Sequence, residues 1–110
     1  MNYTTHEHQG HQVVALTGEV DLSTSPAARK LILGCLDEGR AVLVDLTGVS
    51  YIDSSGVASL VEAYQRAKDK ALPFALVGVS AAALMVLQLA RLDKVFPIYP
   101  DLADVPAHGG

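Results

Sequence analysis

The sequence predicts a single α/β domain built on a mixed central sheet of four to five strands, with helices packed mainly on one face. The first observation is that short apolar runs, typical of strands, alternate with segments whose apolar residues recur at helical spacing. The second is length, because 110 residues suffice for one hydrophobic core but not for two. The third is the placement of glycine, proline and hydroxyl residues between these segments, where they mark turns and helix ends.

The first half of the chain is predicted to form a β-hairpin, a helix and a buried strand. Two short strands, at about residues 3–7 and 12–17, flank a turn that contains glycine. Residues 23–26 offer hydroxyl caps followed by proline at the first helical position, so a helix begins there and stops near Gly39. Residues 41–46 are almost continuously apolar, as in a strand that is buried on both faces.

A second helix is predicted to start near Ser54 or Ser55, because apolar residues follow at the spacing of one helix face. That face comprises Val57, Leu60, Val61, Tyr64 and Ala67. The polar positions between them are expected to face outward, and these are Ser59, Glu62, Arg66 and Asp69.

Residues 71–90 carry no charge and are about as long as a transmembrane helix requires. Their interior favours a different structure, since Pro73 precedes an apolar run typical of a buried strand and Ser80 is placed to cap a helix. We therefore expect a strand, a turn and a helix rather than a membrane span.

The end of the chain is predicted to be an edge strand and a tail. A last strand lies near residues 95–99, where prolines within and after the run are typical of a sheet edge. We assign residues 1–106 to the domain and expect residues 107–110 to form a flexible tail.

Composition argues against several classes of protein. A formal net charge of −4, with acidic and basic residues interspersed, does not provide the clustered basic surface that nucleic-acid binding requires. The amino terminus lacks the basic and apolar regions of a secretion signal, and the single Cys35 cannot form an internal disulfide. Both features predict a cytoplasmic protein in a reducing compartment.

Three histidines near the amino terminus are candidate metal ligands. His6 and His8 would share one face of a strand, and His11 follows closely. The nearby carboxylate of Glu7 points to the opposite face, so solvated edge residues are the favoured interpretation. The sequence therefore predicts no metal and no cofactor.

Residues 45–57 carry the most chemical information, because they run from the end of a buried strand into the start of a helix. Free backbone N–H groups collect at helix amino termini, so an anion on Ser54 would lie in a favourable field. Phosphorylation there would add about −1.5 to −2 charges and change what binds to this surface while the domain stays folded. Gly56 removes side-chain bulk beside the serines, which would suit the close approach of another group. The residues alone leave an alternative open, in which Asp53, Ser54 and Ser55 are ordinary capping residues.

An enzyme that uses Ser54 as a nucleophile is disfavoured. A nucleophile elbow needs glycine two residues before the serine, and Ile52 occupies that position. The chain also lacks the spacing of glycine, lysine and hydroxyl residues found in a phosphate-binding loop. We therefore expect a binding protein rather than an enzyme.

Three stretches together resemble the STAS-domain anti-sigma factor antagonists, and the resemblance spans nearly the whole chain. They are Gly18-Glu19-Val20-Asp21 after a strand, Asp45-Leu46 at the close of a strand, and Tyr51-Ile52-Asp53-Ser54-Ser55-Gly56. Val20 departs from the pattern, because leucine is frequent at that position. In this family the hydroxyl residue directly after the aspartate accepts the phosphate, so the resemblance implies phosphorylation of Ser54.

The resemblance also implies a partner switch. The unphosphorylated protein would bind an anti-sigma factor that is itself a GHKL-type serine kinase, and phosphorylation of Ser54 by that kinase would release it. A PP2C-type phosphatase would then reset the cycle. The residues expected to form the switch site and docking face around Ser54 are Asp21, Ser23, Thr24, Asp53, Ser55, Gly56, Ser59 and Glu62.

A second interpretation is a scaffold or regulatory subunit of a membrane complex, resembling the STAS components of lipid-transporting ABC systems and lacking the phosphorylation switch. It is motivated by residues 81–90, which are apolar nearly all round. Such a helix would expose a patch to a transporter subunit or to a second copy in a homodimer. The favoured interpretation of the same composition is a helix that is simply part of the core.

Overall fold

A five-stranded mixed sheet with three helices on one face confirms the predicted fold class. The computed structural model describes residues 1–108. The strands are β1 (Asn2–His8), β2 (His11–Val20), β3 (Ala41–Ile52), β4 (Phe74–Val77) and β5 (Ile98–Tyr99). The helices are α1 (Ser25–Asp37), α2 (Ser54–Asp69) and α3 (Ala81–Leu89), followed by a 3₁₀ turn at Leu102–Asp104.

The strands lie in chain order across the sheet, from β1 at one edge to β5 at the other. β1 and β2 pair antiparallel through the predicted hairpin, and the other neighbouring strands pair parallel. Because β2 and β3 are parallel, their carboxyl ends meet at the same end of the sheet, with Val20 opposite Ile52. The loop before α1 and the start of α2 therefore lie side by side.

β3 is longer than its sequence pattern indicated. The prediction that this strand closes at Leu46 was wrong, because the chain continues beside β2 as far as Ile52. The register shifts between Ala15 and Thr17 and again between Gly18 and Glu19. Such irregularities place extra residues in β3 and interrupt the alternation of apolar side chains by which a strand is recognised.

Strand, turn and helix are found at residues 71–90, as predicted. β4 occupies the apolar run, and the Ser80 hydroxyl caps α3 by accepting the Ala83 N–H at 3.2 Å. Within residues 1–108, no helix has the length and hydropathy needed to cross a membrane.

The sheet is covered on both faces, by different parts of the chain. All three helices pack on one face, over strand residues that include Val14, Leu16, Val42, Val44 and Leu76. On the opposite face lie Val13, Leu43, Ala75 and Val77, packed against Val105. We call residues 100–108, which supply this second cover, the C-terminal strap. Ala107 and His108 of the predicted tail belong to the strap, whereas Gly109 and Gly110 lie outside the described residues.

Gly56 marks the closest approach of α2 to the sheet. A Cβ at this position would lie 2.6 Å from Cγ1 of Ile52 and 3.0 Å from Cγ1 of Val20, which leaves no room for a methyl group. This packing explains a glycine in the first turn of a helix, where alanine would be favoured by about 1 kcal/mol.

We expect Gly56→Ala to lower the free energy of unfolding by about 1–3 kcal/mol, because the added methyl group overpacks the contact between helix and sheet. The matched control is Gly34→Ala in α1, where a Cβ would meet no heavy atom within 4 Å. That variant is expected to gain roughly 0.5–1 kcal/mol from helix propensity alone. Urea denaturation measures both, and an equal gain in the two variants would contradict the packing argument.

Candidate functional site

The loops that follow β2 and β3 are joined by direct hydrogen bonds. The Asp53 backbone N–H donates to the Val20 carbonyl oxygen at 3.1 Å. The Ser25 hydroxyl at the start of α1 donates to the Ser55 hydroxyl oxygen at 3.1 Å. We call residues 21–25 and 53–56 together the strand-end site.

Asp53 caps the amino terminus of α2. Its Oδ1 accepts the Ser55 N–H at 2.9 Å, the Gly56 N–H at 3.1 Å and the Ser55 hydroxyl at 2.5 Å. The Ser55 hydroxyl is the largest cause of a lowered pKa for the Asp53 carboxyl group, and the backbone N–H groups of Gly56, Ser55 and Leu22 add to it. The Ser55 and Gly56 N–H groups therefore already donate to Asp53. The expectation that free N–H groups at this helix end would receive an anion on Ser54 was wrong for these two groups.

Ser54 and Ser55 differ in what their hydroxyl groups do. Ser54 is the first residue of α2 and is exposed to solvent. Its hydroxyl forms no hydrogen bond with any part of the chain that the structure describes, whereas the Ser55 hydroxyl is bonded to Asp53 and Ser25. Ser54 is thus accessible to chemical modification, and Ser55 is a structural residue of the strand-end site.

Asp21, Ser23 and Thr24 form the turn before α1. Oδ1 of Asp21 accepts the Ser23 N–H at 3.0 Å, the Ser23 hydroxyl at 2.7 Å and the Thr24 N–H at 3.2 Å. The Ser23 hydroxyl is the largest cause of a lowered pKa for Asp21. The predicted hydroxyl cap is absent, since Thr24 makes no side-chain capping bond, and Pro26 stands second rather than first in the helix. The Asp21 carboxylate orders the residues before the helix instead.

Three residues predicted for the docking face are occupied within the domain. Ser59 was expected to face outward but is only 7% exposed, and its hydroxyl donates to the Ser55 carbonyl oxygen at 3.0 Å. Glu62 accepts two hydrogen bonds, of 2.7 and 2.6 Å, from the guanidinium of Arg29 in α1. Gly56 is buried, and the close approach that it permits is that of the domain's own strands. The outward placement of Ser59 was wrong because α1 packs along this row of α2.

An apolar groove that the sequence analysis did not identify adjoins Ser54. It lies between α2 and α3, has a volume of about 430 Å³, and is lined by Ser54, Val57, Ala58, Val86, Leu89 and Ala90. We call it the α2–α3 groove. Leu89 is 80% exposed, and Met85 on the same helix is 58% exposed. The helix therefore contributes Ala83 and Leu87 to the core, as favoured from the sequence, and it also has the exposed patch of the alternative interpretation, which begins beside Ser54.

Comparisons with known proteins cover the described domain. The STAS domain family model matches residues 2–105. The chain is 28% identical over 102 residues to an anti-sigma-F factor antagonist of Mycobacterium tuberculosis, covering 92% of this chain and 83% of that protein. It is 27% identical over 89 residues to an anti-sigma-B factor antagonist of Listeria monocytogenes, covering 80% and 78%. The crystal structure of an anti-sigma factor antagonist from Mycobacterium paratuberculosis matches with a TM-score of 0.85 at 31% identity, covering 94% of this chain and 88% of that chain.

The capping role of Asp53 can be tested in acid. We expect Asp53→Ala to lower the denaturation midpoint, because three donors lose their acceptor, and Asp53→Asn to lower it less, because an amide oxygen still caps. The lowered pKa means that the carboxylate contributes its stability above the ordinary value of 3.8 and loses it as the pH falls through the lowered value. The difference between wild type and Asp53→Ala should therefore narrow in acid. A constant difference in urea titrations across this range would contradict the carboxylate cap.

Proposed function

The chain belongs to the STAS domain family, and on this premise we propose that it is an anti-sigma factor antagonist that acts by partner switching. The observation that carries the proposal is Ser54, an exposed and unbonded serine at the start of α2 and on the rim of an apolar groove. The names of the relatives in Mycobacterium and Listeria support the same role. The protein then works by binding, in the cytoplasm, and not by catalysis.

In the unphosphorylated state the α2–α3 groove is the docking surface for the anti-sigma factor. The residues that line it carry no charge, and Leu89 stands almost fully in solvent beside Ser54. Burial of a side chain of this size contributes about 1.5–3 kcal/mol, so one well-placed contact makes a substantial share of the affinity.

Phosphorylation of Ser54 would oppose that docking without unfolding the domain. The Ser54 hydroxyl is not used in the fold, so a phosphate can be added to it without breaking a hydrogen bond that the structure describes. The new charge would lie next to the Asp53 carboxylate, whose side chain already holds the nearest N–H groups. A partner that covered this charge without a basic group would leave it desolvated and unpaired, which costs several kcal/mol. In this proposal the partner is a GHKL-type serine kinase, which phosphorylates Ser54 and then dissociates. A PP2C-type phosphatase removes the phosphate and so restores binding.

The exposed Met85 and Leu89 also favour a second candidate function, as a scaffold subunit of a lipid-transporting ABC complex or as a homodimer joined through α3. In that case the same surface would be covered permanently. Binding would then be independent of the state of Ser54, which separates the two functions by experiment.

The proposal is tested by purification of partners from native lysate with wild type, Ser54→Ala and Ser54→Asp. Wild type and Ser54→Ala are expected to retain a serine kinase that Ser54→Asp loses, because the carboxylate places charge at the rim of the groove. Incubation with that kinase and ATP should add one phosphate to wild type and none to Ser54→Ala, as measured by intact-protein mass spectrometry. Ser50→Ala, which removes an exposed serine outside the strand-end site, is the control. A transporter subunit bound equally by all variants would favour the scaffold function.

The docking surface itself is tested by Leu89→Ser. We expect this variant to weaken binding of the unphosphorylated protein by roughly tenfold or more, because it removes about 1.5–3 kcal/mol of apolar burial. Phosphorylation of Ser54 by saturating kinase should still occur, since the serine and its cap are unchanged. Tyr3→Ser is the control, because Tyr3 is an exposed apolar residue on the edge strand β1. Equal losses in both variants, measured by calorimetry, would argue against the groove.

A further inference from the structure

The C-terminal strap crosses the whole sheet on the face opposite the helices. It leaves β5 at one edge and ends at the turn between β1 and β2, where the His108 N–H donates to the Gln9 carbonyl oxygen at 2.9 Å. Between these ends, Val105 packs on the buried strand residues Val13 and Leu43. The second face of the sheet is therefore closed by a segment that is anchored at its far end.

The β1–β2 turn is shaped to receive the strap. Gly10 has a φ of +86°, a backbone conformation that favours glycine. A Cβ at Gly10 would overlap with the carbonyl oxygen of His108. The turn thus needs glycine for its own conformation and for the approach of the strap.

Histidines from three segments meet at this anchor. His11 on β2 is only 3% exposed, and its ring centroid lies 5.8 Å from that of His108 on the strap. Nδ1 of His11 lies 3.3 Å from the carbonyl oxygen of His8 at the end of β1. Nε2 of His8 is buried and has no hydrogen-bond partner in the described part of the chain. No group of three or more potential ligands within residues 1–108 is arranged to hold a metal ion, and the chemistry that remains for these imidazoles is proton binding.

The other polar groups around the anchor do not neutralise a charge on His11. The adjoining depression is lined by His11 and His108 and also by two charged residues, Glu7 of β1 and Arg40 before β3. The charges of Glu7 and Arg40 are opposite. Arg40 donates to the Gln12 side chain at 2.8 Å. Burial is the largest cause of a lowered pKa for His11, and His108 and His8 lower it further, while the backbone carbonyl groups of His8 and Gln9 act in the opposite sense.

We propose that the C-terminal strap is a proton-operated cover, which protonation of His11 beneath it releases from the β1–β2 turn as the pH falls from about 7.5 to about 5.5. Docking buries the His11 imidazole 5.8 Å from the ring of His108, where a positive charge on His11 is desolvated and has no acidic partner within residues 1–108. When the strap is released, the His11 ring regains contact with water. Docking lowers the pKa of His11, so neutral His11 favours the docked strap. This stabilisation of the docked strap is complete above pH 6.5, the ordinary pKa of histidine, and it is lost as the pH falls through the lowered pKa of His11.

Release would expose the apolar face of the sheet that Val105 covers, which is remote from Ser54. A cavity of about 310 Å³ lies under the strap, lined on the sheet side by Leu43, Phe74, Ala75 and Tyr99. Tyr99 is the further titratable side chain in this lining. The cover is independent of the proposed partner switch, because it acts on the opposite face of the sheet.

Amide hydrogen exchange of the full chain, corrected for intrinsic rates at each pH, tests the proposal. We expect the backbone amides of Val105 and His108, which donate to Leu102 and Gln9, to lose protection at pH 5.5 relative to pH 7.5, while β3 and α2 keep theirs. His11→Phe/His108→Phe retains two rings without their charge and should remove this pH dependence. His108→Phe alone should reduce the pH dependence. Because His108 is only half-buried, this single variant keeps the proposal testable if the double variant does not fold.

A glycine pair checks the docked geometry separately. Gly10→Ala should remove protection of the His108 amide at both pH values, because the added methyl group overlaps with the His108 carbonyl oxygen. Gly39→Ala imposes the same kind of backbone strain at a φ of +81° with no atom nearby, and should leave the strap protected. The proposal is overturned if the strap amides of wild type are as protected at pH 5.5 as at pH 7.5. It is also overturned if His108→Phe loses as much strap protection at pH 5.5 as wild type does, or if the loss of protection at pH 5.5 extends to the whole domain.

Discussion

The parallel pairing of β2 with β3 is the constraint on which the rest of the structure depends. It sets Val20 opposite Ile52 and so fixes where both loops leave the sheet. Gly56 then allows α2 to lie directly on these two side chains. With α2 at this distance, Asp53 reaches both the amino terminus of its own helix and the loop that follows β2. The strand-end site thus depends on the register of β2 with β3 and on the absence of a side chain at Gly56.

The same packing decides which polar residues remain available. Arg29 and Arg66 tie α1 to α2 through ion pairs with Glu62 and Asp37, at 2.6 and 2.7 Å. These contacts, together with the Ser25 and Ser55 hydroxyl pair, occupy the row of α2 that faces α1. The free surface of α2 is consequently on its other side, toward α3, where apolar side chains predominate. The polar row of α2 that the sequence suggested as a docking face is thus turned toward α1, and the accessible side of the helix is an apolar groove.

Local patterns in the sequence were sufficient for the order of the elements, the hairpin, the amino terminus of α2 and the position of Ser54. Each depends on residues close together in the chain, such as the cap at Asp53 or the turn at Gly10. The length of β3 was not predictable in this way, because its irregular register hides the alternation of strand residues. The burial of Ser59 and the bond between Ser25 and Ser55 depend on how α1 lies against α2, which no local pattern encodes. The strap has neither helical nor strand periodicity, so only the tertiary structure shows that it covers the sheet.

The division between the strand-end site and the α2–α3 groove has a consequence for signalling specificity. The groups that position Ser54 are Asp53 and its donors, whereas the groove is lined, apart from Ser54 itself, by Val57 and Ala58 of α2 and by residues near the end of α3. Because few residues belong to both sets, the groove can change shape while the acceptor serine keeps its surroundings. Under the proposed partner switch, a few apolar substitutions in the groove would therefore insulate paralogous proteins in one cell from one another's kinases. The chemistry of modification then stays common to all of them, and only the choice of partner diverges.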